Sequence, residues 1–109
     1  MPTNYKILGQ VNPIASTDDM LYVVPAGNTA IISTINICNQ SNIAATFRLA
    51  VRRANAALEA KQYIAYDTFL AGNDSMALTM GITLAATDTV SCRANTSTVG
   101  FSAFGTEIS

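Results

Sequence analysis

The chain lacks histidine and tryptophan, and only 12% of its 109 residues are charged. Without histidine, it lacks the commonest general base and a common metal ligand. No serine is patterned near Lys6 or Lys61, the lysines that could activate a nucleophile. Asp18 and Asp19 are adjacent carboxylates, but neighbours on a strand point to opposite sides. We therefore expect no enzyme, no catalytic residue, and no cofactor or metal site.

Strong charge of either sign is also missing. Six Lys and Arg residues stand against seven Asp and Glu residues, without a basic run or a glycine-rich phosphate loop. Nucleic-acid binding normally requires a basic footprint, so we expect no nucleic-acid partner. No apolar run approaches the roughly 20 residues that span a bilayer. The opening MPTNYKILGQ has no hydrophobic segment, so we expect cytoplasmic synthesis and no membrane partner.

The two cysteines, Cys38 and Cys92, are far apart in the sequence and fit neither a zinc spacing nor a CxxC motif. Two interpretations stay open. The thiols are reduced and act as small hydrophobic side chains, or they form a cross-strand disulfide.

What the sequence does contain is alternation with a period of two. In TAIISTINICN this pattern places Ile31, Ile35 and Ile37 on one face and Ile32 on the other. In TFRLAVRR it sets Phe47, Leu49 and Val51 against Arg48 and Arg52. The predicted strands cover residues 5–11, 20–24, 29–38, 45–53, 62–68, 75–83, 89–94 and 99–106.

Turn signals such as Pro25-Ala26-Gly27-Asn28 separate these runs at near-regular spacing. The pattern predicts an all-β fold, an antiparallel β-sandwich of about eight strands, either jelly-roll or Ig-like. We expect one domain over residues 1–109, with an N-terminal arm as an alternative for residues 1–19. Residues 55–63 are predicted to form a loop with one helical turn. The predicted core consists of Ile35, Ile37, Phe47, Leu49, Val51, Leu78, Met80, Val90 and Phe101.

Low charge and apolar residues on both faces of several strands favour an assembled protein. Phe101 and Phe104 illustrate this, because their side chains should point to opposite faces. We predict a homo-oligomer, a trimer or dimer. Its candidate interface consists of Arg48, Arg52, Arg53 and Phe104. Tyr63 and Tyr66 are three positions apart, so we expect them on opposite faces of a strand, which argues against a stacking platform.

Three stretches together resemble a protein family: LYVVPAGNTAIISTINICNQS, TFRLAVRRANAALEAKQYIAYDT, and LTMGITLAATDTVSCRAN followed by FSAFGTEIS. Over residues 20–109 the chain resembles small β-sandwich structural proteins of tailed bacteriophage and cyanophage virions. The resemblance implies a capsid cement (decoration) protein on the outer capsid surface, with the major capsid protein as partner. A tail or baseplate component, with tail proteins as partners, is an alternative. A host glycan-binding module is an alternative of another class.

Overall fold

The structure is a computed structural model that describes residues 3–109, and within that range it contains nine β-strands and two short 3-10 turns. The 3-10 turns cover Arg53–Asn55 and Ala60–Gln62. The strands are β1 (Thr3–Val11), β2 (Asp19–Val23), β3 (Thr29–Asn39), β4 (Ala45–Arg52), β5 (Tyr63–Leu70), β6 (Ser75–Leu78), β7 (Ile82–Leu84), β8 (Thr89–Ala94) and β9 (Val99–Ile108).

The strands form two antiparallel sheets. The first, called here the β1 sheet, has the order β1-β9-β3-β6, and β7 also pairs with β3. The second, the β2 sheet, has the order β2-β8-β4-β5. Most consecutive strands alternate between the sheets, which is how a jelly roll is wound. The predicted all-β antiparallel sandwich is confirmed, and the strand order is that of the jelly roll.

The prediction of one strand over residues 75–83 is wrong. β6 pairs with Ile35–Cys38 and β7 with Ala30–Ile32, so the two short strands follow opposite ends of β3. Gly81 lies between them with φ +60°, a conformation that ends regular strand pairing. Met80 lies in this gap and is 49% exposed, so its predicted place in the core is also wrong.

The core lies between the two sheets, and most of its predicted members are confirmed. Phe47 and Phe101 meet edge to face, with their ring centroids 6.1 Å apart. Val51 and Leu78 are only partly buried, against the edge of this cluster. The predicted residues that the structure buries are Ile35, Ile37, Phe47, Leu49, Val90 and Phe101.

A β-bulge in β3 overturns the predicted alternation of that strand. The pairing of β3 with β9 shifts between Ile32 and Thr34, so Ser33 is an extra residue. An extra residue reverses the faces of everything before it. Ile32 is therefore buried and Ile31 is 40% exposed, whereas simple alternation placed Ile31 with Ile35 and Ile37.

The N-terminal segment contributes a strand. Residues 3–11, within the stretch for which an arm is the alternative, form β1 and pair with β9 along the edge of the β1 sheet. Residues 1 and 2 lie outside the described residues. In the part of the chain that the structure describes, there is no helix with the length and apolarity needed to cross a membrane.

Candidate interaction surfaces

The outer face of the β1 sheet carries no charged side chain at any position that the strand register assigns to it. This is unusual for a solvent-exposed sheet, because charges normally cover such a face. The register follows from the pairing of β9 with β1 and β3, and of β3 with β6 and β7. The outward positions are Thr3, Tyr5, Ile7, Gln10, Thr29, Ile31, Thr34, Asn36, Cys38, Ser75, Ala77, Thr83, Gly100, Ser102, Phe104, Thr106 and Ile108.

Four large side chains on this face form what we call the apolar patch: Tyr5, Ile7, Ile31 and Phe104. Ile7 is directly opposite Phe104, and both Tyr5 and Ile31 are opposite Thr106 in the strand between them. Their exposed fractions are 83% for Tyr5, 54% for Ile7, 40% for Ile31 and 36% for Phe104. Contiguous exposed apolar surface of this kind marks interaction sites on soluble proteins.

Two bulges, one in β1 and one in β3, bring Tyr5, Ile7 and Ile31 onto the same face as Phe104. Opposite the Ala103–Phe104 step, the pairing with β1 skips Leu8; opposite the Phe104–Gly105 step, the pairing with β3 skips Ser33. The Ser33 hydroxyl donates a hydrogen bond to the Phe104 carbonyl oxygen at 3.1 Å. At Gly105 the backbones approach so closely that an added Cβ would lie 2.0 Å from the Ile31 carbonyl oxygen. Any side chain at position 105 would therefore have to push the β3 backbone away from β9.

Arg48 lies on the outer face of the β2 sheet and binds a carboxylate of its own chain. Its Nε donates to Asp67 Oδ1 at 2.7 Å and its Nη2 donates to Oδ2 at 3.2 Å. The guanidinium also lies 4.1 Å from the centre of the Tyr66 ring. The hydrogen bonds from Arg48 lower the pKa of Asp67 below its ordinary value. The charge of Arg48 is thus already paired before any partner binds.

Arg52 is also held within the chain. Its Nε donates to the Ala56 carbonyl oxygen at 2.7 Å, and its Nη1 donates to the Ser91 hydroxyl at 3.1 Å. Arg53 is exposed in the first 3-10 turn. As predicted, Arg48 and Arg52 lie on one face of β4 and Phe47 lies on the other, but Phe104 is on the other sheet. The structure therefore does not bring the four predicted interface residues onto one surface.

Tyr63 and Tyr66 lie side by side, so their predicted placement on opposite faces is wrong. Their ring centroids are 4.9 Å apart and the ring planes cross at 83°. The cause is an irregularity of β5 at Ile64: Ala50 pairs with Tyr63 and Leu49 with Ala65, so Ile64 is skipped and Tyr63 lies on the same face as Tyr66. A second irregularity follows, which leaves Tyr66 and Asp67 both opposite Arg48. Asp67 adopts φ +50° there. Asp tolerates this conformation better than most residues, which is a weak sequence signal for the second irregularity; the sequence has no comparable signal at Ile64.

The two tyrosines form one wall of an open cleft of about 550 Å³. The opposite wall comes from the loop before β5, at Leu58, Glu59 and Ala60. Hydrogen bonds fix this loop: the Glu59 amide donates to Gln62 Oε1 at 2.8 Å, and Gln62 Nε2 donates to the Ala57 carbonyl oxygen at 3.0 Å. The cleft thus combines an aromatic wall with a hydrogen-bonded loop.

Glu107 is a buried carboxylate where β9 meets β1 and β2. Lys6 Nζ lies 2.7 Å from Oε1, and the Tyr22 hydroxyl donates to Oε2. The Lys6 contact, followed by the Tyr22 hydrogen bond, lowers the pKa of Glu107 although burial opposes this. Burial, and then the neighbouring carboxylate, raise the pKa of Tyr22. Since all three groups satisfy one another, we interpret the cluster as structural.

Both cysteines are free thiols, so the disulfide alternative is wrong. Cys38 is half-buried on the outer face of the β1 sheet, whereas Cys92 is buried in the β2 sheet. Burial raises the pKa of Cys92 to about 12, so its thiol is unreactive at neutral pH. Among residues 3–109, no group of three or more acidic, cysteine or histidine side chains is placed to hold a metal ion.

Comparison with known proteins gives little sequence signal. No protein-family model matches the chain, and no curated protein matches it. A solved structure of a pentameric capsid protein isolated from metagenomic phage sequences aligns with a TM-score of 0.41 and 15% identity. The alignment covers 96% of this chain and 59% of that one, so the chain spans about three fifths of that protein's length. A likeness of this size assigns no function to the chain.

Proposed function

We propose that this protein is a non-enzymatic structural protein of a phage particle. Its finer role is that of a capsid cement protein, which binds the major capsid protein lattice on the outer surface of the virion as a homo-oligomer. The observation that carries the proposal is the uncharged outer face of the β1 sheet with its apolar patch. The resemblance of residues 20–109 to small virion proteins supports the phage context.

The composition of this face suits a permanent contact. Burying an ion at an interface costs several kcal/mol unless it is paired well, and this face has no ion to bury. Tyr5 and Phe104 are aromatic residues of the kind enriched in the centres of interfaces. The surrounding Thr, Ser, Asn and Gln side chains supply hydrogen bonds at a rim. Ile7 and Ile31 add apolar area between them.

The fold agrees with this role without deciding it. Jelly rolls occur in viral capsid proteins, and also in lectin domains and cupins. Because one fold hosts many functions, the proposed role comes from the surface of the protein rather than from its topology. The predicted interface residues Arg48 and Arg52, on the β2 sheet, are hydrogen-bonded within the chain, and the apolar patch on the β1 sheet replaces them as the candidate interface.

The test introduces one charge into the apolar patch. We expect Ile7→Lys to abolish the homo-oligomer, because a lysine there must be desolvated without a partner. Ile43→Lys is the matched control, since Ile43 is 70% exposed and lies in a loop away from this face. Light scattering coupled to size-exclusion chromatography measures the oligomer. An Ile7→Lys protein that still assembles like the wild type would contradict the assignment of this face.

Particle binding is measured with shells assembled from the major capsid protein encoded in the same genome. We expect the wild type and Ile43→Lys to co-sediment with the shells and Ile7→Lys to stay in the supernatant. Cryo-electron microscopy of the intact particle then gives the position. Density on the outer capsid surface supports the cement role, density on the tail replaces it with the tail alternative, and absence from the particle overturns both.

A further inference from the structure

We propose that the cleft between Tyr63, Tyr66 and Glu59 binds a neutral pyranose saccharide. This site lies beside the outer face of the β2 sheet, away from the apolar patch, so the inference does not depend on the proposed assembly role. It makes specific the glycan-binding alternative that the sequence left open, because the structure brings together two aromatic rings that alternation had separated.

The tyrosine pair supplies an apolar platform with polar tips. Saccharide rings have one face lined by C–H groups, and tyrosine offers an apolar ring to such a face and a hydroxyl to its edge. Tyr66 is 57% exposed, so part of its ring surface is not covered by the chain itself. An exposed ring beside a cleft is therefore available to a ligand.

The platform is held in place before any ligand arrives. Arg48 packs on Tyr66 and is itself fixed by two hydrogen bonds to Asp67. Tyr63 packs against Tyr66 at right angles. Aromatic side chains with restricted rotation bind ligands at a lower entropic cost. This arrangement explains why β5 holds Asp67 in the left-handed region at φ +50°, a conformation that non-glycine residues adopt at an energetic cost.

The charges around the cleft favour a neutral ligand. Arg48 is paired with Asp67, and Lys61 Nζ lies 3.9 Å from Glu59 Oε2. An acidic sugar or a nucleotide would find no unpaired cation among these residues. The Glu59 carboxylate accepts hydrogen bonds, which suits the hydroxyl groups of a saccharide. The volume of about 550 Å³ is within the usual range for small-molecule sites.

The other concavities fit a saccharide less well. The one between Arg48, Arg93 and Asn95 is only about 80 Å³. The one beside Arg53, Glu59 and Lys61 is about 410 Å³, but no aromatic side chain lines it. The tyrosine cleft alone among these three combines ring faces, a carboxylate and sufficient volume.

The experiment titrates the isotope-labelled full chain with maltotriose, cellotriose and chitotriose, and follows amide chemical shifts by NMR. Saccharide concentrations reach about 10 mM, so that millimolar affinities are detected. We expect at least one trisaccharide to give saturable shifts at Glu59, Tyr63 and Tyr66. Shifts at none of these residues with any of the three probes would overturn the proposal.

Two variants locate the site. Tyr66→Ala should weaken binding at least about fivefold, the lower end of the range seen when one stacked ring is removed from base-stacking sites. Ala60→Phe should block the cleft without removing the Arg48 contact. Phe69→Ala is the matched control, because Phe69 is a similarly exposed ring on β5 outside the cleft. Equal loss of affinity in Phe69→Ala and Tyr66→Ala would overturn the assignment to this cleft.

Discussion

Glu107 shows at the scale of one residue how the sandwich tolerates a buried charge. Burial without partners would raise the pKa of a carboxyl group and destabilise the fold, because the charged form loses its contact with water. Here Lys6 and Tyr22 each bind one of its oxygens, and the pKa is lowered instead. The three residues come from β9, β1 and β2, so the cluster ties the N-terminal strand and the β2 sheet to the last strand.

This cluster predicts a specific dependence of stability on pH. Because the folded pKa of Glu107 is lowered, its stabilisation is present above the ordinary carboxyl pKa of 4.5 and is lost as the pH falls below it. Glu107→Gln should lower the free energy of unfolding at pH 7 by about 1.5–3 kcal/mol, the range for hydrogen bonds to charged groups. The difference from wild type should shrink on acidification. Denaturant unfolding at several pH values measures both.

The matched control for this prediction is Glu59→Gln, the same chemical change at a carboxylate that is 59% exposed. Its free energy of unfolding should differ from that of the wild type by less than about 0.5 kcal/mol, as is usual for surface substitutions. A Glu107→Gln deficit that stays the same at pH 7 and pH 3 would show that the lost stability does not come from the carboxylate charge.

At the scale of whole elements, the sequence predicted where strands occur but not where they change face. Alternation located the strands and most of the core, because burial of one face imposes a period of two. A bulge adds one residue without changing composition, so the local pattern does not reveal it. Ser33 and Leu8 become extra residues through the pairing of their strands with β9, which is distant from both strands in the sequence. Ile31 was therefore placed on the wrong face.

The same limit applies to the candidate surfaces. Alternation places Arg48 and Arg52 on the correct face of β4. It does not predict their hydrogen-bond partners, because Asp67 lies in the distorted strand β5 and Ala56 lies in a loop. Alternation also separates Tyr63 from Tyr66, although the skipped residue Ile64 between them brings both rings to one face. Phe104 was correctly expected to point away from the core. Its neighbours in the apolar patch come from β1 and β3, which sequence order alone does not bring together.

The bulged elements around Phe104 depend on Gly105. We predict that Gly105→Ala lowers the free energy of unfolding by about 1–3 kcal/mol, the range for overpacking, because its Cβ would lie 2.0 Å from the Ile31 carbonyl oxygen. Gly100→Ala on the same strand is the control, since the nearest atom to its added Cβ is Gln40 Nε2 at 3.9 Å. Thermal and denaturant unfolding measure both variants. Equal stability of the two would show that β3 moves away without cost.

The whole molecule presents two unlike outer faces. The face of the β1 sheet is uncharged and contains the apolar patch, whereas that of the β2 sheet carries Arg48, Arg93 and Asp67 beside exposed aromatic rings. In the proposed assembly the first face is covered by partners. The second face, with the tyrosine cleft beside it, then points away from the contact and stays open to a ligand. The two proposals therefore use different sides of one sandwich and can succeed or fail separately.

The difference between the faces predicts how self-association responds to salt. Raising NaCl from about 0.1 M to about 1 M shortens the Debye length from about 10 Å to about 3 Å, which weakens contacts between exposed charges. An interface through the uncharged β1 sheet should keep its dissociation constant, and sodium sulfate should tighten it, because excluded salts strengthen apolar burial. Analytical ultracentrifugation across both salt series measures this. Weakening by about tenfold or more in NaCl would instead place charged residues, with Arg53 as the exposed candidate, at the interface.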